Sequence, residues 1–387
     1  MHAIRSFTSL LRRVLSFVHA TRLRSLLDAV QAVVREAPLA LTALGRRLPG
    51  KSATKHKIKK AGRLLANGKL QVQIPAVQTA IARELVEGVA RPVFLVDWTD
   101  VGSCRYALVA TLLASGRSLP VFFEVHESCG DPEVERSLLA RMHAAFVGLD
   151  VRPVLITDAG FRGPWCRAVA ALGWDYISRL SDVAHVEVDG KWTKLGPVAA
   201  SVRRRVDLST RVVEGDPIRG RVIIQAPKIK GRKATKRPSR KGVHQGSESA
   251  KKAKHRNSSP LALFTSLTRR SAADVVDLYR TRMSIEESFR DLKSHRFGSS
   301  LEDARARSSG PLRVLLLIGS LALLAHYVTG LVGELLGLHR QLQANTVRKR
   351  RVLSRVFLGR EIIRGNLDDD RFDMEYYLPW VQVGAWT

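Results

Sequence analysis

Between residues 91 and 180 strand-length apolar runs alternate with helix-length segments, and that order restricts the chain to a mixed α/β fold. Pro92-Val93-Phe94-Leu95-Val96 reads as a buried strand ending at Asp97. Residues 106–113 and 119–125 read as two more strands, with 115–118 as the hairpin turn between them. Residues 132–149 predict a helix, with Pro132 in its first turn and Glu133 and Glu135 at its N-terminal end. A strand over 151–157 ends at Asp158-Ala159-Gly160-Phe161. A short helix through Trp165 and Ala170 and a strand over 174–180 follow. An antiparallel meander joined to βαβ units predicts a mixed sheet with helices on both faces.

The flanks differ in kind. Residues 1–75 read as helical, with apolar positions recurring at Leu23, Leu26, Leu27, Val30, Val33 and Val34. Ser52 is an expected N-cap for a helix that Asn67-Gly68 would stop. That helix carries Lys55, Lys57, Lys59, Lys60 and Arg63 and no acid, so its face is expected to contact DNA. Residues 183–267 break the βα alternation with a hairpin about Asp189-Gly190 and further strands. The tract 227–260 holds 12 Lys/Arg and one acid among Gly, Ser and Pro, a composition expected to be disordered and to touch phosphates. A helix over 272–295 follows. Next comes an apolar helix near 312–338, whose fully apolar part is too short for a bilayer span of about 20 residues. A basic run at 348–351 precedes an acidic, aromatic tail.

Composition narrows the partner. The chain has 387 residues, 64 Lys+Arg against 35 Asp+Glu and a net charge of +29, which points to a polyanion such as DNA. The three scattered cysteines form no C-x-x-C pair, and no export signal is convincing, so a reducing, cytoplasmic, nucleoid-associated setting and no membrane partner are expected.

Chemistry concentrates at three carboxylates. Asp97 and Asp158 sit at expected strand ends, where open α/β sheets collect ligands; Asp100 competes with Asp97 for the first position. With helical residues about 100° apart, Tyr279, Arg282, Glu286 and Lys293 fall within about 60° on one face of the helix over 272–295. Asp97, Asp158 and Glu286 as hard oxygen donors suit two Mg²⁺ or Mn²⁺ ions working on a phosphodiester. Arg282 and Lys293 beside them suit the phosphate itself.

These residues resemble the DDE transposases of bacterial insertion sequences. The similarity is to the subgroup with a Y-x2-R-x3-E-x6-K signature, met by Tyr279, Arg282, Glu286 and Lys293. Asp97-Trp98-Thr99 is similar to the family's first aspartate, and Asp158-Ala159-Gly160-Phe161 to its second. The resemblance implies an RNase H-like core, a β-rich insertion between the second aspartate and the glutamate, and phosphate-binding roles for Tyr279, Arg282 and Lys293. It also implies cut-and-paste transposition at terminal inverted repeats by a synaptic homodimer. The expected division is a helical DNA-binding domain at 1–75, core at 90–182 and 264–340, a β-rich insertion at 183–263, and a C-terminal region at 341–387. The alternatives are a metal-dependent nuclease that does not join strands, or a non-catalytic DNA-binding relative.

Overall fold

The computed structural model describes residues 2–213, 215–227, 260–306, 308–344, 346–347 and 350–382. The basic tract read at 227–260 lies outside them but for its two terminal prolines, as do parts of the 348–351 run and the end of the tail. The chain divides into two compact units, Met1–Ile156 with Thr281–Thr387, and Thr157–Arg280.

The first unit opens with five helices, α1 (His2–Val14), α2 (Ala20–Val34), α3 (Leu41–Arg47), α4 (Thr54–Leu65) and α5 (Gly68–Val86). Ala53, not Ser52, occupies the cap position of α4. Asn67 both follows α4 and caps α5, its side chain accepting from the Leu70 N–H at 2.9 Å. Helix α5 runs through residue 75 to Val86, and these helices share one unit with the strands that follow.

Strands β1 (Val93–Gly102), β2 (Arg105–Ala114) and β3 (Arg117–His126) form an antiparallel meander. Its first turn is two residues, Ser103 and Cys104, both with φ near +55°, the left-handed geometry of a type I′ hairpin. Helix α6 (Pro132–Phe146) is capped by Asp131, whose side chain accepts from the Glu133 N–H. Strand β4 (Val154–Thr157) then neighbours β1, in the order β3-β2-β1-β4.

The second unit contains α7 (Gly163–Ala171), β5 (Asp175–Arg179), β6 (His185–Val188), β7 (Lys191–Lys194), α8 (Leu195–Ser201), β8 (Arg205–Val212), β9 (Ile218–Gln225), β10 (Leu261–Thr265) and α9 (Ala272–Arg280). Its strand order is β5-β10-β9-β8-β6-β7. The hairpin about Asp189-Gly190 joins β6 to β7, with both turn residues at positive φ. Helix α8 was not expected: a seven-residue LGPVAAS segment carries too little periodicity to announce a helix.

The chain returns to the first unit with α10 (Met283–Lys293), α11 (Ser309–Leu335), α12 (His339–Leu342), α13 (Arg355–Arg364) and α14 (Met374–Tyr377). Helix α11 is the axis of this unit's core: every residue from 314 to 333 is buried, against α2, α5, α13 and β3. It is long and apolar enough to cross a bilayer, yet its most apolar stretch lies wholly inside the fold. Burial, rather than the shortness inferred from sequence, marks it as a core helix.

A further expectation is corrected. The helix read over 272–295 is two helices, α9 and α10, interrupted at Thr281-Arg282. Arg282 keeps helical torsions (φ −52°, ψ −30°), so the apolar period continues across a break that it cannot reveal. Tyr279 therefore stands on a different helix from Glu286 and Lys293.

Candidate active site

Strand β1 is buried from Val93 to Val96 and becomes partly exposed from Asp97 to Asp100, with Val101 buried again. The strand does not end at Asp97 as expected; pairing with β2 continues through Asp97↔Val109 and Thr99↔Ala107. Alternation along the strand separates Trp98 from its neighbours. The Trp98 indole N–H donates to Glu135 Oε1 on α6 at 3.2 Å.

Asp97 Oδ1 accepts from the Trp98 backbone N–H at 2.9 Å, and Oδ2 accepts from Arg282 Nη1 at 3.0 Å. The other arm of the same guanidinium, Nη2, donates to Glu286 Oε1 at 3.2 Å. Arg282, standing at the N-cap of α10, thus draws together carboxylates from β1 and α10. Its side chain is 13 % exposed, against 18 % for Asp97 and 42 % for Glu286. Asp100, the competitor for the first position, uses its carboxylate to accept from the Gly102 N–H at 2.6 Å, a turn-closing role.

Lys293 lies seven residues beyond Glu286 on the same helix. Its Nζ donates to Thr99 Oγ1 at 2.8 Å and to the Asp100 carbonyl at 3.1 Å. Burial pulls the Lys293 ammonium below the usual lysine range, with Asp100, Glu302 and Asp97 acting in the opposite direction.

The back of α10 is held by residues that no motif announced. Arg117, the first residue of β3, pairs with Glu287 and with Asp291 Oδ2 at 3.0 Å. Ser118 and Ser288 hydroxyls meet at 3.1 Å beside them. Burial pushes the Asp291 carboxyl up, while Arg117 and Arg360 pull it down. Only a sequence-distant arginine could have signalled this clamp, and arginines are too common here to single one out.

In the second unit, Asp158 directly follows β4 and is half-buried. Its Oδ1 accepts from the Gly160 N–H at 2.8 Å. A Cβ at residue 160 would stand 3.0 Å from that oxygen, so the turn favours glycine. Phe161 is buried against Trp165, ring centroids 4.9 Å apart. Tyr279 on α9 is buried, 7 % exposed.

Carboxylates are the donors that Mg²⁺ and Mn²⁺ prefer, and Asp97 and Glu286 already converge on one cationic group, so the donor set fits such an ion. Among the described residues no group of three or more His, Cys, Asp or Glu side chains is gathered closely enough to hold a metal. Asp97 and Glu286 are brought together through Arg282; Asp158 belongs to the other unit.

On α4, Lys55, Lys59 and Arg63 are exposed at spacing four, along one face. Lys57 is half-buried. Lys60 is half-buried and its Nζ lies 2.5 Å from Asp28 Oδ2 on α2, so an acid from another helix compensates it.

Residues 89–324, more than half of the chain, match the transposase DDE domain family. The chain belongs to that family. Compared with curated proteins, it has no significant match. The transposase domain so delimited begins just before β1, ends within α11, and contains Asp97, Asp158, Tyr279, Arg282, Glu286 and Lys293. Helices α1–α5 precede it.

Proposed function

We propose that the chain is a DNA transposase that binds the terminal inverted repeats of its element, cuts the ends and joins their 3′-hydroxyls to target DNA. We assign it an RNase H-like core of the bacterial insertion-sequence type, in the subgroup with the tyrosine, arginine, glutamate and lysine signature. The observation that carries this reading is the meeting of Asp97 and Glu286 on Arg282, within a span matching the DDE family.

Asp97, Asp158 and Glu286 would hold Mg²⁺ or Mn²⁺, two ions in the complete site. Bound there, the metal supplies the Lewis acidity that activates the attacking hydroxyl and stabilises the leaving oxygen. The protein's own residues do the rest. Arg282 and Lys293 present cationic N–H donors to the phosphate oxygens beside the scissile bond. Thr99 and the Asp100 carbonyl hold two of the three Lys293 N–H groups, fixing its direction and leaving a third for the strand. Tyr279, expected to orient the strand or stack on it, is 7 % exposed, so it is assigned the orienting role and not the stacking one. Lys55, Lys59 and Arg63 on α4 hold the backbone of the repeat. Two ends must be held at once, which calls for a homodimer in the synaptic complex, working in the cytoplasm on nucleoid DNA.

The test uses DNA carrying the element's ends in Mg²⁺ or Mn²⁺. Asp97→Ala, Asp158→Ala and Glu286→Ala each remove several kcal/mol of transition-state stabilisation, so cleavage falls about 10³-fold or more. Cutting without joining to a target would favour the nuclease reading. A wild type that cuts no better than the three variants would end the enzymatic reading altogether.

A further inference from the structure

We infer that Arg282 is a built-in counter-cation for Asp97 and Glu286, one that competes with the divalent metal and couples its binding to the arrival of DNA. This inference rests on the metal-site reading above. The observation behind it is the forked bridge: one guanidinium, 13 % exposed, donates to Asp97 Oδ2 at 3.0 Å and to Glu286 Oε1 at 3.2 Å. Guanidinium stays protonated at any working pH, so its charge cannot be titrated away. It has to be outcompeted or moved.

Charge counting gives the consequence. With Asp158, the third ligand of that reading, the three carboxylates carry −3, and Arg282 with Lys293, whose Nζ is held by Thr99 and the Asp100 carbonyl, brings the total to −1. The first divalent cation to join raises this set to +1 and a second to +3, in a half-buried place where like charges repel strongly. Each DNA phosphate removes one unit of that excess and can take Arg282 from the carboxylates, since its two non-bridging oxygens match the planar guanidinium fork. Metal and DNA therefore bind with positive coupling, and by linkage each raises the affinity of the other by the same factor. Free protein stays poorly loaded, which keeps the cleavage centre idle away from its DNA.

The experiment measures Mn²⁺ affinity of the full chain by titration calorimetry, without DNA and with a non-cleavable end duplex. Wild type is compared with Arg282→Gln, Arg282→Lys and Asp97→Asn. Thermal melts in EDTA and in Mn²⁺ report folding of each variant. Arg282→Gln is expected to bind Mn²⁺ at least tenfold more tightly than wild type without DNA, and DNA should tighten Mn²⁺ binding less in the variant than in wild type. Its melting temperature should fall in EDTA and recover in Mn²⁺, whereas that of wild type should respond little to metal. Arg282→Lys, a point charge without the fork, should lie between the two. If Arg282→Gln, folded, binds Mn²⁺ no more tightly than wild type while Asp97→Asn abolishes binding, the metal site stands and the counter-cation role is wrong. If Asp97→Asn changes nothing, the metal-site reading itself fails.

Discussion

His326 lies wholly inside the first unit, 1 % exposed, its Nε2 3.0 Å from the Val34 carbonyl. Its Nδ1 is buried without a hydrogen-bond partner, so the ring is neutral, with Nε2 as the donor. Burial pulls its pKa from 6.5 down to about 3, and Arg360 pushes in the same direction. Glu36, His295, Arg296, Glu361 and Arg364 line the same cleft. The sign follows from proton counting. Below pH 6.5 the unfolded chain gains a proton on this ring that the folded chain refuses, so the stability present above 6.5 is lost as pH falls toward 3. The limiting slope is about 1.4 kcal/mol per pH unit. Urea melts between pH 5 and 8 should show this acid limb in wild type and a flatter one in His326→Gln, whatever that variant loses at neutral pH. An equal slope in both would assign the limb to other groups. At this scale the sequence was read unevenly. Arg282, Glu286 and Lys293 stand out in the sequence by their spacing with Tyr279, and Asp97 by its place before Trp98-Thr99; that one guanidinium joins Asp97 to Glu286 is seen only in the structure. The Asp97-Trp98-Thr99 context favours Asp97 over Asp100, with Asp100 left as a competitor. What the sequence does not show is that the Asp100 carboxylate closes onto the Gly102 N–H.

Elements were easier to recognise than to delimit. The β1–β3 meander, α6 and the Asp189-Gly190 hairpin all follow from local pattern and turn chemistry. The break between α9 and α10 does not, because Arg282 keeps helical torsions and the apolar period runs on. In α11 the structure gives Gly330 and Gly333 a contact role. A Cβ on Gly330 would stand 1.8 Å from the Arg355 carbonyl oxygen, and one on Gly359 of α13 would stand 1.9 Å from the His326 carbonyl oxygen. The backbones of α11 and α13 touch at this crossing, and backbone atoms cannot step aside as a side-chain tip can. Gly330→Ala and Gly359→Ala are each expected to cost about 3 kcal/mol or more, at the upper end for overpacked cores. Gly62→Ala supplies the contrast: on α4 the added carbon meets only Leu41 Cδ1 at 3.7 Å. There the gain in helix propensity should stabilise by roughly 0.5–1 kcal/mol. Denaturant melts of the three variants check both signs, and a neutral Gly330→Ala would contradict the close crossing.

Across the whole molecule, the long returns of the chain were the least legible part. The Ala3 N–H donates to Asp368 Oδ2 at 2.9 Å, the Met374 N–H to Ser6 Oγ at 2.8 Å, and Arg13 pairs with Glu375 at 3.0 Å. No periodicity reports a contact between the two ends of the chain. The acidic tail, which looked like a separate feature, is part of what seats α1. The same lesson applies to the net charge of +29, which named the partner without saying which cations face it. Helix α4 has no acid of its own, yet Asp28 of α2 takes Lys60 at 2.5 Å, leaving Lys55, Lys59 and Arg63 as the exposed row. Two behaviours should separate these residues. Replacing Lys55, Lys59 and Arg63 together with Gln should weaken binding to end DNA and lower the slope of log affinity against log salt by about 2–3, since each lost phosphate contact removes roughly 0.9. Lys60→Gln should leave that slope unchanged and cost at most about 1 kcal/mol of stability, as partly exposed ion pairs do. Fluorescence anisotropy of the full-length proteins between 50 and 200 mM salt reads the slopes. A slope reduced as much by Lys60→Gln as by the triple variant would mean that Lys60 exchanges Asp28 for phosphate, and that the row read from exposure is incomplete.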